Sequence, residues 1–231
     1  DSLVDAVSEA VKRALENQQN VSLRVVTGRE ASIGKNRRQA EGPVDPDVPA
    51  LCFYTPKGLV GLLTSYACHP VTLGPDNRLF TRDYPGATLE VLESFYPNTF
   101  TAFATGCCGQ INTGHKASDS LLPGKTTQRT FKEAARLGSV LANAVKHAVE
   151  ARAESIAAYP LNVLRKKIAL PIQLNQIDEA QIDSWQRELS EHESGSPEQA
   201  ILNAKLAWTR HWQDASPQDF IEVEIMVIRL G

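Results

Sequence analysis

Net charge is nearly missing from this sequence. Its 231 residues carry 24 Lys and Arg against 27 Asp and Glu, a formal balance of −3. No broad positive field is available for nucleic acid or an anionic membrane, so nucleic acid is not expected as a partner. The clusters "KNRR" (35–38) and "RKK" (165–167) are short and read as solvated surface. Long apolar runs are missing too: none approaches the ~20 residues of a membrane-crossing helix. The four cysteines, at 52, 68, 107 and 108, lack the paired C-x-x-C spacing of a structural zinc site. A bridge between the adjacent Cys107 and Cys108 would be strained. All four are expected as buried thiols. No repeat or low-complexity segment appears. The first residues follow a helical pattern rather than that of a secretory signal, so compartment is not readable from them.

What is present is a chain 42% hydrophobic and 22% charged, ordinary for a folded domain. Val4, Val7, Val11 and Leu15 recur at helical spacing over 2–17. "VSLRVVTG" (21–28) is β-branched and predicts a strand. A long aperiodic stretch with three prolines near its end then predicts a loop, and loops of that length are often functional. Two apolar strands, 50–55 and 59–68, joined by Pro56-Lys57-Gly58, predict a hairpin covered on both faces. A helix over 86–95 with Pro85 in its first turn follows, then a strand over 99–107. The glycine-rich turn "GCCGQINTG", a polar loop at 115–128 and a helix over 130–152 come next. Beyond them, strands at 161–174 and 220–231 flank a helical pair at 177–213. The second helix of that pair carries Ile201, Ala204, Trp208 and Trp212 as an apolar stripe. The alternation predicts an α/β fold with a mixed β-sheet core and helices packed on it. A single domain spanning 1–231 is expected, with the helical pair packed as an insertion.

In α/β sheets chemistry gathers beyond strand ends. One strand ends in His69 and another leads to Asn112. Arg37 sits in the long loop, and Asp83 precedes a helix that its carboxylate could cap. Taken alone, each has a structural reading. A single histidine is commonly a hydrogen-bonded core residue, Asn112 beside Gly114 suits a tight turn, Arg37 suits solvent and Asp83 a cap.

Four segments shift that balance: "NRR...GPVDPDVPAL", "SYACHPVTLGPDN", "RDYPGA" and "GCCGQINTG". In this order and at this spacing the sequence resembles the neutral (alkaline, non-lysosomal) ceramidase family, from the first helix to the last strand. The resemblance implies an α/β catalytic domain around one zinc ion held by two histidines, a glutamate and a tyrosine, hydrolysing the amide of N-acylsphingosines. It places a zinc ligand at His69, where a rigid strand end would fix an imidazole in advance. Asn112 stands where the best-known members have serine. Asn is not a usable nucleophile, so the resemblance implies attack by a metal-activated water, with Asn112 positioning it or the substrate carbonyl. Arg37 is carried over as a substrate or oxyanion contact. Asp83 and Gly109 are carried over as structural or supporting residues. An N-acyl lipid or another small amide is the implied substrate, and closeness to a membrane surface or export the implied setting.

The chain departs from that pattern. The family's other zinc histidine, in an "H-x-H-S-G"-like motif, belongs upstream of the first helix. Its glutamate and tyrosine belong downstream of the last strand. Gln110 and Asn112 replace more typical residues. The expectation is an internal piece of a larger catalytic domain, holding one of four ligands. Two other readings stay open: a non-catalytic binding module on the same scaffold, or a hydrolase of another amide or ester. A thiol enzyme using Cys68 with His69 is disfavoured, because neighbours along a strand point to opposite faces.

Overall fold

The computed structural model describes residues 2–115, 129–151, 154–156, 161–171, 179–214 and 220–230. Most of the loop expected at 115–128 lies outside them. The chain divides into two compact units, residues 1–158 and 159–231.

The first unit opens with α1 (Leu3–Glu16), capped reciprocally by Ser2 and Asp5. Its apolar stripe is exposed throughout, and no residue of the helix is buried. Strands β1 (Ser22–Arg29), β3 (Asp47–Thr55), β4 (Gly58–Tyr66), β5 (Phe100–Thr105) and β7 (Glu154–Ile156) form one sheet in the order β5-β4-β3-β1-β7. The pair β4/β5 is parallel and the others antiparallel, which makes the sheet mixed. The sequence pattern left β7 unassigned; a three-residue edge strand has no period to detect. Two further strands, β2 (Lys35–Asn36) and β6 (Ile111–Asn112), pair separately. The hairpin β3–β4 turns through Pro56-Lys57 with Gly58 at φ +127°, as the sequence suggests.

Alternation, not uniform burial, governs these strands. Val48, Ala50 and Cys52 of β3 and Leu62, Thr64 and Tyr66 of β4 are buried, while the residues between them are half-buried or exposed. The physical reason is that α2 (Asp83–Phe95) and α3 (Phe131–Glu150) lie side by side against the sheet, α3 on β1 and β3 and α2 on β5. The expected cover on both faces is therefore a single buried face among the described residues. Pro49 sits in a strand with neighbours on both sides, where its missing N–H is usually excluded. The β3/β4 ladder stops at Ala50↔Thr64, and the Thr64 hydroxyl donates to the Pro49 carbonyl at 3.0 Å.

The two helices touch closely at Gly138. A Cβ there would meet the Ala87 Cβ at 2.5 Å and the Thr88 nitrogen at 2.7 Å. Across α3, Gly28 of β1 admits the Ala144 carbonyl, which a Cβ would meet at 2.6 Å. Sheet and helices thus lock through two glycines facing backbone.

The second unit holds the ribbon β8 (Leu161–Pro171)/β9 (Phe220–Leu230), antiparallel from Leu161↔Leu230 to Pro171↔Phe220, and the helices α4 (Glu179–Glu191) and α5 (Pro197–Asp214). The buried stripe of α5 is Leu202, Leu206 and Thr209, with Trp208 57% exposed. The expected stripe through Ile201, Ala204 and Trp208 is displaced by one residue. Apolar residues occupy two adjacent stripes of this helix, so periodicity alone does not choose between them.

Gly138→Val should cost about 1–3 kcal/mol by overpacking, read as a lower urea midpoint. An unchanged midpoint would contradict the close helix contact.

Candidate functional site

Three segments distant in sequence meet where β4 ends. Strand β6 pairs with β2 through Lys35↔Asn112 and Asn36↔Ile111, and its other side meets His69 in a parallel bridge, His69↔Asn112. The His69 N–H donates to the Ile111 carbonyl at 2.9 Å, and the Arg37 N–H donates to the Gln110 carbonyl at 3.1 Å. A two-residue strand is enough for this because the chain around it is pinned. The Tyr66 hydroxyl accepts from Gly34 N–H and donates to the Glu30 carbonyl, both at 3.0 Å. Burial pushes the Tyr66 phenol up to about 12, which keeps it a neutral donor. Gly106 crosses Tyr66 and Ala67 so closely that a Cβ would lie 3.1 Å from the Ala67 backbone.

The fourth segment is tied to the second. The Asp83 carboxylate accepts from Leu73 N–H at 3.1 Å and Tyr84 N–H at 2.7 Å, and the Tyr84 hydroxyl donates to the Cys68 carbonyl at 2.6 Å. The Tyr84 phenol is raised far above its ordinary value, chiefly by burial. Asp83 is the first residue of α2, in left-handed backbone at φ 52°, and Arg82 before it provides no side-chain cap. Its carboxylate anchors the loop after His69 instead of standing ahead of the helix as an N-cap. All four motifs are therefore joined by hydrogen bonds.

The His69 ring is half-buried. Its Nε2 lies 2.9 Å from the Gly109 carbonyl. A carbonyl only accepts, so Nε2 carries a proton, and in the neutral ring Nδ1 then holds the lone pair. The Cys108 sulfur lies 3.2 Å from Nδ1 and 3.4 Å from Nε2, against the N–C–N side of the ring. Sequence reasoning missed Cys108. An adjacent cysteine pair in a glycine turn after a strand end was the only signal, and it did not say which thiol faces the histidine. Burial holds for Cys52 and Cys68, whereas Cys107 is exposed and Cys108 half-buried, because the turn leaves the sheet before reaching them. Desolvation pushes the Cys68 thiol up to about 12, and its sulfur contacts the His69 carbonyl, not the ring. A Cys68–His69 couple is not formed.

Asn112 is buried, with its carboxamide engaged in a turn. Its Oδ1 accepts from Gly114 N–H at 2.9 Å and His115 N–H at 3.1 Å, and its Nδ2 donates to the His115 carbonyl at 2.6 Å. Among the described residues one Nδ2 hydrogen is left over. Two hollows of about 400 Å³ each flank β6. One is lined by Pro43, Val44, Ala67, Cys108, Gly109 and Gln110 among others. The other lies among Lys35, Arg37, Arg38 and His115. Gly109, at φ 46°, has open space where a Cβ would stand and presents its carbonyl to His69. No group of three or more His, Cys, Asp or Glu side chains suited to a metal occurs among the described residues.

Comparison with known proteins supplies a likeness of fold. No family model and no curated protein matches the chain. Among solved structures, the neutral ceramidase of Pseudomonas aeruginosa is similar over 99% of this chain and 41% of its own, with a TM-score of 0.66 and 17% identity. A ceramidase complexed with C2 is similar over 72% of this chain and 28% of its own, with a TM-score of 0.60 and 17% identity. The chain thus spans less than half the length of either structure. At that identity the likeness is one of fold.

Two outcomes test the site as a structure. Asn112→Ala would remove the side-chain acceptor of the exposed Gly114 N–H and the buried His115 N–H, at a cost of about 1–3 kcal/mol in chemical unfolding; a loss below a few tenths would remove its structural role. Iodoacetamide on the native chain should label Cys107 and leave Cys52 and Cys68 untouched by mass spectrometry. Equal labelling of Cys68 would contradict its burial.

Proposed function

We propose that this chain is part of a zinc-dependent amidase of the ceramidase kind, cleaving the amide of an N-acyl lipid or a related small amide. The observation that carries the reading is the junction itself: four motifs spread over some eighty residues are hydrogen-bonded into one place, on a fold like that of two ceramidases. Both compact units would then be parts of one catalytic domain. The likeness over 99% of the chain supports that.

The residues present fit part of a zinc site. In the neutral ring His69 would offer Nδ1 as the ligating atom once the Cys108 sulfur against it gives way, with Nε2–H held by the Gly109 carbonyl, the usual support for a metal-bound imidazole. The remaining ligands would come from outside the described residues. Zinc, when bound, supplies Lewis acidity and an activated water. Arg37, fixed through its backbone beside Gln110, offers a guanidinium to a carbonyl oxygen gaining negative charge. Asn112 reaches a substrate only through its remaining Nδ2 hydrogen, so its larger effect is on the turn that sets Gly109 and His69. Asp83 acts by holding the loop after His69. A scaffold without catalysis is the second reading, favoured by how fully the Asn112 carboxamide is engaged.

In the full-length protein, His69→Ala should lower zinc affinity by more than the roughly 10–100-fold typical of losing a group behind a ligand. Hydrolysis of N-acylsphingosine should fall with it. Unchanged zinc content and turnover would end the assignment, and a panel of other amides and esters would separate the substrate classes.

A further inference from the structure

The second hollow beside β6 gathers more positive charge than the single Arg37 contact proposed for amide hydrolysis requires. Its wall carries Lys35, Arg37 and Arg38, with Asn36, Gly114 and His115, and among the described residues no carboxylate lines it. None of the three cationic heads pairs with a carboxylate among the described residues. Glu133 of α3 bears electrostatically on His115, and Arg136 holds that carboxylate through two bonds of 2.8 and 2.7 Å. Three positive charges within four residues therefore face one concavity with no carboxylate among the described residues of its wall.

The backbone that presents them is tied down. Asn36 is buried, its Oδ1 accepts from Arg38 N–H at 3.1 Å and Gln39 N–H at 3.0 Å, and its Nδ2 donates to the Pro43 carbonyl at 3.3 Å. Gly42 packs so tightly on that side chain that a Cβ would lie 2.4 Å from Nδ2. Lys35 and Arg37 are further held by the β2/β6 pair and by the bond from Arg37 N–H to Gln110. A solvated run of basic residues needs no such frame. A frame that fixes where each side chain leaves the chain lowers the ordering cost of closing on a ligand. Two arginines add forked donors that match an oxyanion in pairs of parallel bonds.

We infer that this hollow is a binding site for an oxyanion, a phosphate or carboxylate group borne by a small molecule. Anion binding there stands or falls without the amidase reading, although Arg37 is shared between the two. At the proposed active site it would select N-acyl substrates that carry a negative charge next to the amide, in preference to neutral ones.

Isothermal titration of the metal-free chain tests this, with inorganic phosphate, N-acetylglycine and its uncharged amide as probes. Saturable binding of phosphate or N-acetylglycine, absent for the amide and weakened by added salt, is expected. The triple variant Lys35→Gln/Arg37→Gln/Arg38→Gln should lose about tenfold or more in affinity, as expected for removal of charge-assisted bonds. These side chains are exposed, so circular dichroism should show the variant folded. Vesicles of phosphatidic acid against phosphatidylcholine distinguish a lipid headgroup from a free anion as the source; binding of both acidic lipid and phosphate supports the site. No saturable binding of either anion, equal affinity in the triple variant, or binding to acidic vesicles alone would overturn it, leaving an exposed cation cluster only.

Discussion

Two backbone hydrogen bonds hold the centre of the first unit together, from the N–H groups of His69 and Arg37 to the carbonyls of Ile111 and Gln110. They are ordinary in strength, each worth about 1 kcal/mol net. Their importance is positional. They join the end of β4, the short strand β2 and the turn after β5, segments whose own secondary structure would not bring them together. Remove that junction and His69, Gly109, Asn112 and Arg37 become four unrelated loop residues. The buried frame beneath it, Tyr66 on Gly34 and Tyr84 on Cys68, makes the junction rigid because each hydroxyl is desolvated and stays protonated.

Much of the frame could be read from the chain. Strands β1, β3, β4 and β5 follow from β-branched and apolar runs closed by Gly and Pro, and α3 from its 3–4-residue repeat, since these signals are local. Non-local facts were not legible. Which face of the hairpin is covered depends on where α2 and α3 dock. The buried stripe of α5 depends on which of two apolar neighbours α4 meets. The stripe of α1 looks like a core face yet is exposed here, because amphipathicity records that a helix has a partner-seeking face without naming the partner.

The candidate site was legible in a different sense. Strand-end position singled out His69, but only the order of four motifs raised it above a satisfied core histidine. The roles of its neighbours needed coordinates. Asn112 reads in sequence as either a turn residue or a water-positioning amide, and three hydrogen bonds place its carboxamide in the turn. Cys108 carried no sequence signal that separates it from Cys107. Arg37 sat in a cluster that composition assigns to solvent. Only the Asn36 frame distinguishes a presented cation from a dangling one.

That distinction bears on how one β2/β6 pair shapes two hollows. The strand pair is two residues long, so side chains leaving it alternate between its faces with almost no room for error. Lys35 and Arg37 lie one apart from Asn36, and the buried Asn36 therefore forces both of its neighbours outward to the same side. On the opposite flank, β6 presents Gly109 and Cys108 to the His69 ring through the turn that precedes it. A change that loosens Asn36 would disturb the cation hollow first, while a change at Gly109 would disturb the imidazole first. The two hollows are thus mechanically adjacent but separately adjustable, which would suit a fold that keeps the chemistry at one place while the group recognised beside it varies.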